Sequence, residues 1–321
     1  DRRSMVGSRN LTKPVPKSVA IFGAGGRMGR EVAAQIAYLA PGTGLRLLAS
    51  SEQGAQGIRE QSPGADVRVA NYFDRASLTP ALEGVEAVFV VTPPGLDEKA
   101  AMTNFVDAVK EADSAIQIIR LLGYAPEWNP KKYPWDTIKT GGEHFIAKEI
   151  LEDSGLPVTY VNLGASLFDN MFFTLGGIRR ERKLIWPQRE VPMMDVRDLG
   201  AVIARLFLSD DARYVGSFLT INNGYDYLST QQLAKAMSDA FLTPIAVETD
   251  RAAFLAEYGP LFTARFGAPD QAEILLDYFD WEHDNWLWQL NDTAERILGR
   301  KPTTLHSWLV EHRPVFLAPP A

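Results

Sequence analysis

The strongest constraint on this chain lies between residues 17 and 37, where a short apolar run meets a glycine-rich turn and then an amphipathic stretch. Val19, Ala20, Ile21 and Phe22 read as a buried strand, and Arg30 onward reads as a helix. Between them the glycines fall at 23, 25, 26 and 29. Gly23 suits a tight turn, Gly26 lets a backbone approach a pyrophosphate, and Gly29 lets helix pack on strand. The first helical amides then face the phosphates. Gly23, Gly25, Gly26, Arg27, Met28 and Gly29 are therefore candidates to cradle a dinucleotide.

The remaining sequence suits that beginning. Runs at 45–50, 67–70, 87–91, 115–119 and 158–161 read as strands. Segments 76–83, 97–112 and 141–154 read as helices between them. Strand and helix alternate, which predicts an α/β fold with a Rossmann-type doubly wound parallel sheet, whose ligand crevice lies at the carboxyl ends of the strands. Residues 1–14 read as a flexible tail, 15–162 as the nucleotide-binding domain and 163–321 mainly as a smaller C-terminal substrate lobe. Segment 191–222, with a last strand at 218–221, is expected to return to the Rossmann core.

Composition narrows the function. With 321 residues and 46% hydrophobic content the chain can bury a large core. A net charge of −7 without a cationic run argues against nucleic acid as a partner, because such binding needs clustered cations. The basic patch at 179–183 reads as a solvated turn or as a contributor to binding. There is no cysteine, which excludes disulfides and thiolate chemistry and suits a reducing cytoplasm, the expected location. No apolar run approaches the roughly 18 residues of a membrane span, so no membrane partner is expected. Glu282, His283 and Asp284 are adjacent on an expected helix and point apart, so no metal site is expected.

Several motifs resemble the NmrA-like family of atypical short-chain dehydrogenases. They are the glycine turn, the helix from Glu143 to Gly155, the strand that follows, and the loop 162–170, with Phe168 and Asn170, which looks like the family's post-strand loop ending in Phe-x-x-Asn although one residue, not two, separates Phe from Asn here. Asp195, Val196, Asp198 and Gly200 are similar to its Asp-Val-x-Asp-x-Gly signature, and 297–309 resembles the way these proteins close. The resemblance covers about 17–310. The glycine turn alone also resembles dihydrodipicolinate reductase, but nothing downstream matches that enzyme's His-rich segment.

The resemblance implies an NAD(P)H-dependent oxidoreductase transferring hydride to a small carbonyl, quinone, imine or aromatic ether. The alternative it carries is a non-catalytic NAD(P)-binding redox sensor with a protein partner, and a homodimer is also open. The usual Tyr and Lys four residues apart are missing, and the fifth strand ends without Ser. His144 and Lys148 stand in the corresponding helix, spaced to share one face, and are the catalytic candidates. The isoflavone-reductase branch places a lysine eleven residues before the glycine that closes this helix, which is the place of His144. A histidine titrates near neutrality and can supply the proton that accompanies hydride transfer, while Lys148 can hold a ribose or substrate oxygen.

For the cofactor, Arg27 and the hydroxyls of Ser50 and Ser51 favour NADP, whereas Glu52 favours NAD; the balance leans to NADP. By their place in the fold, Asn71 and Tyr72 would lie by the adenine, and Thr92 and Pro93 by the nicotinamide ribose. Tyr124, Phe168, Asn170 and Trp281 are the substrate candidates. Trp281 belongs to an aromatic and acidic run at 277–288 that reads either as a pocket wall or as lobe core.

Overall fold

A computed structural model describes residues 11–123, 142–267, 269–285 and 288–320. Strands β1 (Ser18–Ile21), β2 (Gly44–Ala49), β3 (Asp66–Val69), β4 (Ala87–Val90), β5 (Gln117–Leu122) and β6 (Val158–Leu163) enter a seven-stranded sheet with β10 (Phe218–Ile221). The order is β10-β6-β5-β4-β1-β2-β3, and the pairings from β6 through to β3 are parallel. This is the doubly wound order, with its reversal between β1 and β4. Every residue of β4 and β5 is buried, as in a sheet covered on both faces.

Helices α1 (Arg27–Leu39), α2 (Glu52–Gln61), α3 (Arg75–Leu82), α4 (Glu98–Ala112) and α5 (Gly142–Asp153) make the crossovers. Three of them begin on side-chain caps: Ser51 accepts from Gly54 N–H, Asp74 from Ala76 N–H and Asp97 from Ala100 N–H. Helix α2 was not expected. Gly54 and Gly57 depress its helix propensity, but the Ser51 cap, buried Ala55 and Ile58, and an Arg59–Glu52 ion pair stabilise it. Strand β5 lies two or three residues later than its expected position, so that Arg120 falls inside it.

The chain separates into two compact units. Of the described residues, 11–122, 143–162 and 200–219 form the first; 163–199 and those from 220 on form the second. In the first, Thr12, from the segment read as a tail, bridges Asp211, and Lys13 N–H donates to Asp210 O at 2.7 Å. The second unit contains β7 (Ser166–Leu167), α6 (Leu175–Glu181), β8 (Lys183–Ile185) and β9 (Glu190–Met194), before α7 (Val196–Leu208) carries the chain into the first. It resumes with β11 (Tyr227–Ser229), α8 (Thr230–Phe241), β12 (Ala246–Glu248), α9 (Arg251–Phe266), α10 (Gln271–Asn285), α11 (Thr293–Leu298) and α12 (Leu305–Phe316). Strand β9 pairs antiparallel with β11 and parallel with β7. One core of this unit gathers Phe168, Phe241, Trp308 and Phe316; another gathers Phe254, Tyr258 and Phe262.

Candidate active site

The glycine turn has the geometry its spacing predicts. Gly23 adopts φ +64°, a left-handed conformation that glycine takes without strain, and its carbonyl accepts from Gly26 N–H at 2.9 Å. A Cβ on Gly29 would lie 2.2 Å from the Gly23 oxygen, so α1 packs against the turn at a distance only glycine allows. Gly26 is the N-cap of α1 and offers no side-chain cap, and the first turn of that helix has no acidic residue. Its leading amides therefore remain suited to an anion. Gly23, Gly25, Gly26 and Arg27 are exposed, Met28 is half-buried, and Gly29 is buried.

The ends of β2 and β3 are tied together beside this turn. Ala24 N–H donates to Leu48 O, and Asn71 Nδ2 donates to Ser50 O at 3.3 Å. Asn71 also accepts from Phe73 N–H, which makes a local turn and leaves the Phe73 ring 54% exposed. Ser51 uses its hydroxyl to cap α2, and the Glu52 carboxylate is engaged by Arg59. The acid that favoured NAD is thus ion-paired with Arg59.

Two expected contacts belong to the core. Tyr72 is buried, stacked on Phe22 at 4.7 Å between ring centroids and edge-on to Phe105; its hydroxyl donates to Val91 O at 3.1 Å. Burial pushes its ionisation far above the ordinary range. Its side chain packs the sheet rather than meeting an adenine. Thr92 is also buried, and its hydroxyl is taken by Glu98 and Arg120, while Pro93 beside it is exposed.

The Glu98–Arg120 pair is the feature that reading the sequence missed. Arg120 Nη2 donates to Glu98 Oε1 and to Thr92 Oγ1, both at 2.8 Å, and the two charged side chains are 0% and 1% exposed. A guanidinium within a mainly apolar strand was the signal that could have revealed it.

His144 lies in the first turn of α5. Its Nδ1 is sealed from solvent and has no hydrogen-bond partner among the described residues. Burial, aided by the Arg120 charge, pushes its pKa down to about 3, so the ring is neutral at physiological pH. Lys148, one turn on, is ion-paired with Glu152 and lies 5.5 Å from the Tyr160 ring centre and 5.6 Å from that of Phe218. Its ammonium is thus engaged over two aromatic faces.

Among the substrate candidates, Tyr124 lies outside the described residues. Phe168 is fully buried against Trp308, which makes it core. Asn170 faces a pocket of the second unit enclosing about 440 Å³, its open mouth included. Apolar walls come from Met171, Trp186, Met193 and Leu233, and Arg189 contributes a cation. Asn170 Nδ2 donates to Ser166 Oγ at 3.2 Å. Arg189 is held by Glu282 at 2.6 Å, and Glu282 also accepts from Trp288 Nε1 at 3.0 Å. The pocket wall is therefore charge-compensated, which suits a neutral ligand. Trp281 is half-buried, stacked with Tyr278 and packed on Val191 and Trp288.

Sheet order and glycine geometry together define a Rossmann-type fold. The sequence pattern of the NmrA-like family matches residues 16–249, and the chain belongs to that family. The (4-alkanoyl-5-oxo-2,5-dihydrofuran-3-yl)methyl phosphate reductase of Streptomyces griseus is 24% identical over 313 residues, covering 93% of this chain and 99% of that protein. Quinone oxidoreductase 2 of Escherichia coli is 27% identical over 147 residues, 46% of this chain and 48% of that protein. The structure of that oxidoreductase complexed with NADPH superposes with a TM-score of 0.72 at 20% identity, covering 92% of this chain and 98% of its own. The Citrobacter sp. triphenylmethane reductase complexed with NADP(H) gives 0.71 at 18%, covering 92% and 99%. At these identities the structural likenesses establish the fold. Among the described residues no helix is long and apolar enough to cross a membrane.

Proposed function

We propose that this chain is an NADP(H)-dependent reductase that transfers hydride to a small conjugated acceptor of the quinone or unsaturated-carbonyl kind. The observation that carries the reading is the cradle: Gly29 hard beneath Gly23, and α1 opening at Gly26 with no side-chain cap. These residues fit a pyrophosphate. The backbone of Gly23–Gly26 and the first amides of α1 would hold it, Arg27 and Ser50 would meet the ribose phosphate, and the exposed Pro93 edge would border the nicotinamide. The relatives named for NADPH chemistry support the choice of dinucleotide.

When bound, the reduced dinucleotide supplies two electrons and one hydrogen as hydride, and the proton that completes the product comes from water. Burial lowers the pKa of His144 and favours its neutral imidazole. A neutral imidazole still has one N–H, which can donate a hydrogen bond to an oxygen that gains charge. That capacity favours acceptors whose product is a stabilised oxyanion. Lys148, held by Glu152, places a cation on the same helix. The second unit would hold the substrate, with Asn170 orienting a neutral, mainly apolar molecule in the compensated pocket.

Calorimetric titration with NADPH and NADH, followed by spectrophotometric assay with 1,4-naphthoquinone, tests the reading. Preferential NADPH binding with turnover supports it. Binding without turnover across quinones and conjugated carbonyls would favour a redox sensor instead.

A further inference from the structure

The pocket of the second unit carries a cation whose hydrogen-bonding capacity is only partly used. Arg189, the residue before β9, donates from Nε to Glu282 Oε1 at 2.6 Å and from Nη2 to Glu282 Oε2 at 3.3 Å. A guanidinium has five N–H groups in a fixed fork, and this pairing takes the Nε edge. Nη1 has no hydrogen-bond partner among the described residues. The side chain is 11% exposed and stands in the pocket wall, whereas its partner Glu282 is 1% exposed and does not line the pocket. A pair made only to join this segment to α10 would be closed over; this one borders a cavity with Nη1 unused.

The fork is held rigidly. Its Cζ lies 4.2 Å from the centre of the Phe279 ring, and Glu282 is itself fixed by the Trp288 indole N–H at 3.0 Å. The Arg189 backbone is tied to Thr230 twice, its N–H donating to Oγ1 at 3.1 Å and its carbonyl accepting from Thr230 N–H at 3.0 Å. A donor fixed in this way loses little freedom on binding. Other polar groups of the wall serve the protein itself: the Thr174 hydroxyl donates to Met171 O, that of Thr230 donates to Pro187 O, and the Ser229 oxygen caps α8. No other charged side chain lines the pocket. Glu282 already balances Arg189, so an anionic ligand would bring an unpaired negative charge into a mainly apolar site and lose its hydration. A neutral oxygen acceptor meets Nη1 without that penalty.

We propose that Arg189 determines the specificity of this pocket: its guanidinium, fixed by Glu282 and Phe279, donates from Nη1 to a carbonyl oxygen of an uncharged, largely apolar compound. That this compound is the hydride acceptor rests on the reductase reading above; its recognition by Arg189 does not. A hydrocarbon of the same shape displaces water from the guanidinium and returns no hydrogen bond, so it is rejected. A carboxylate of the same shape is rejected because Glu282 already neutralises the one cation of the wall.

The test is equilibrium binding of 1,4-naphthoquinone, naphthalene and 1-naphthoate to the full-length protein without nucleotide, followed by ligand-observed NMR titration. The wild type should bind the quinone about tenfold more tightly than naphthalene, the effect of one hydrogen bond to a charged donor, and more tightly than 1-naphthoate. Arg189→Lys keeps a cation for Glu282 but lacks the fork, and should bring the quinone and naphthalene to within about twofold of each other. Arg189→Met/Glu282→Gln removes both charges together, should do the same, and serves if the lysine variant does not fold; urea unfolding reports the fold of each. An undiminished preference for the quinone in a folded variant would overturn the assignment. So would a wild type that fails to bind the quinone, shows no preference for it over naphthalene, or binds 1-naphthoate more tightly. A wild type that shows the preference yet oxidises no NADPH with the quinone counts against the reductase reading alone. Turnover with a preference that the variants leave unmoved counts against the role of Arg189 alone.

Discussion

Asp198 accepts a hydrogen bond from Arg300 Nη2 at 2.7 Å across 102 residues of sequence. The same carboxylate accepts from Thr303 N–H at 2.6 Å, and its side chain is 2% exposed while that of Arg300 is 53% exposed. The Asp-Val-x-Asp-x-Gly signature and the C-terminal closing segment are therefore two halves of one joint within the second unit. Asp195 contributes by holding Arg197, which reaches Glu311 on α12. Asp198→Ala leaves the half-buried Thr303 N–H without this acceptor and frees Arg300, and should lower the unfolding free energy by about 1–2 kcal/mol. Asp198→Asn, which retains an acceptor oxygen, should cost less. Urea unfolding of the two variants measures the difference.

Three glycine substitutions should diverge. Gly29→Ala forces a methyl against the Gly23 carbonyl and should cost both stability and nucleotide affinity. Gly26→Val, whose Cβ meets the Gly23 oxygen at 3.2 Å, fills the approach to the pyrophosphate; it should abolish NADPH binding with the fold retained. Gly57, inside α2, has nothing within 4 Å of an added Cβ, and Gly57→Ala should stabilise by about 0.5–1 kcal/mol. Circular dichroism melts paired with NADPH titrations separate the three.

The ionisation of His144 has a signed consequence for stability. Its pKa is near 6.5 when unfolded and about 3 when folded, so the unfolded chain takes up the proton first. The stabilisation is complete above pH 6.5 and is lost as pH falls toward 3. His144→Gln should therefore show a shallower loss of stability between pH 6.5 and pH 4 than the wild type. Denaturant unfolding at several pH values would show it; parallel curves would contradict the buried neutral ring.

Asn170 supplies a polar group to an otherwise largely apolar pocket. Asn170→Leu should raise KM for 1,4-naphthoquinone by roughly tenfold, the effect of losing about one hydrogen bond, and leave the NADPH Kd unchanged. Steady-state kinetics together with calorimetry check both halves. An unchanged KM would remove Asn170 from the substrate site.

Local rules made much of the first unit legible. The apolar strands and the glycine spacing each depend on neighbours in sequence, and the doubly wound parallel sheet was expected from the alternation of strand and helix. Helix α2 was not legible because glycines mask a stretch whose support is a cap and two buried side chains. Arg120 was visible as a residue but not as a buried ion, because its partner Glu98 comes from helix α4, 22 positions away. Tyr72 and Phe168 were singled out for their position beside expected crevices; aromatic neighbours distant in sequence claim both rings for the core. The burial that silences His144 likewise arises from tertiary packing, which no local pattern states.

The central claim is a dinucleotide cradle that serves hydride transfer. Its most direct test is calorimetric titration of the wild type and Gly26→Val with NADPH, followed by 1,4-naphthoquinone reduction. The account predicts tight binding and turnover in the wild type, with both lost in a folded Gly26→Val. Equal binding by the two proteins would contradict it.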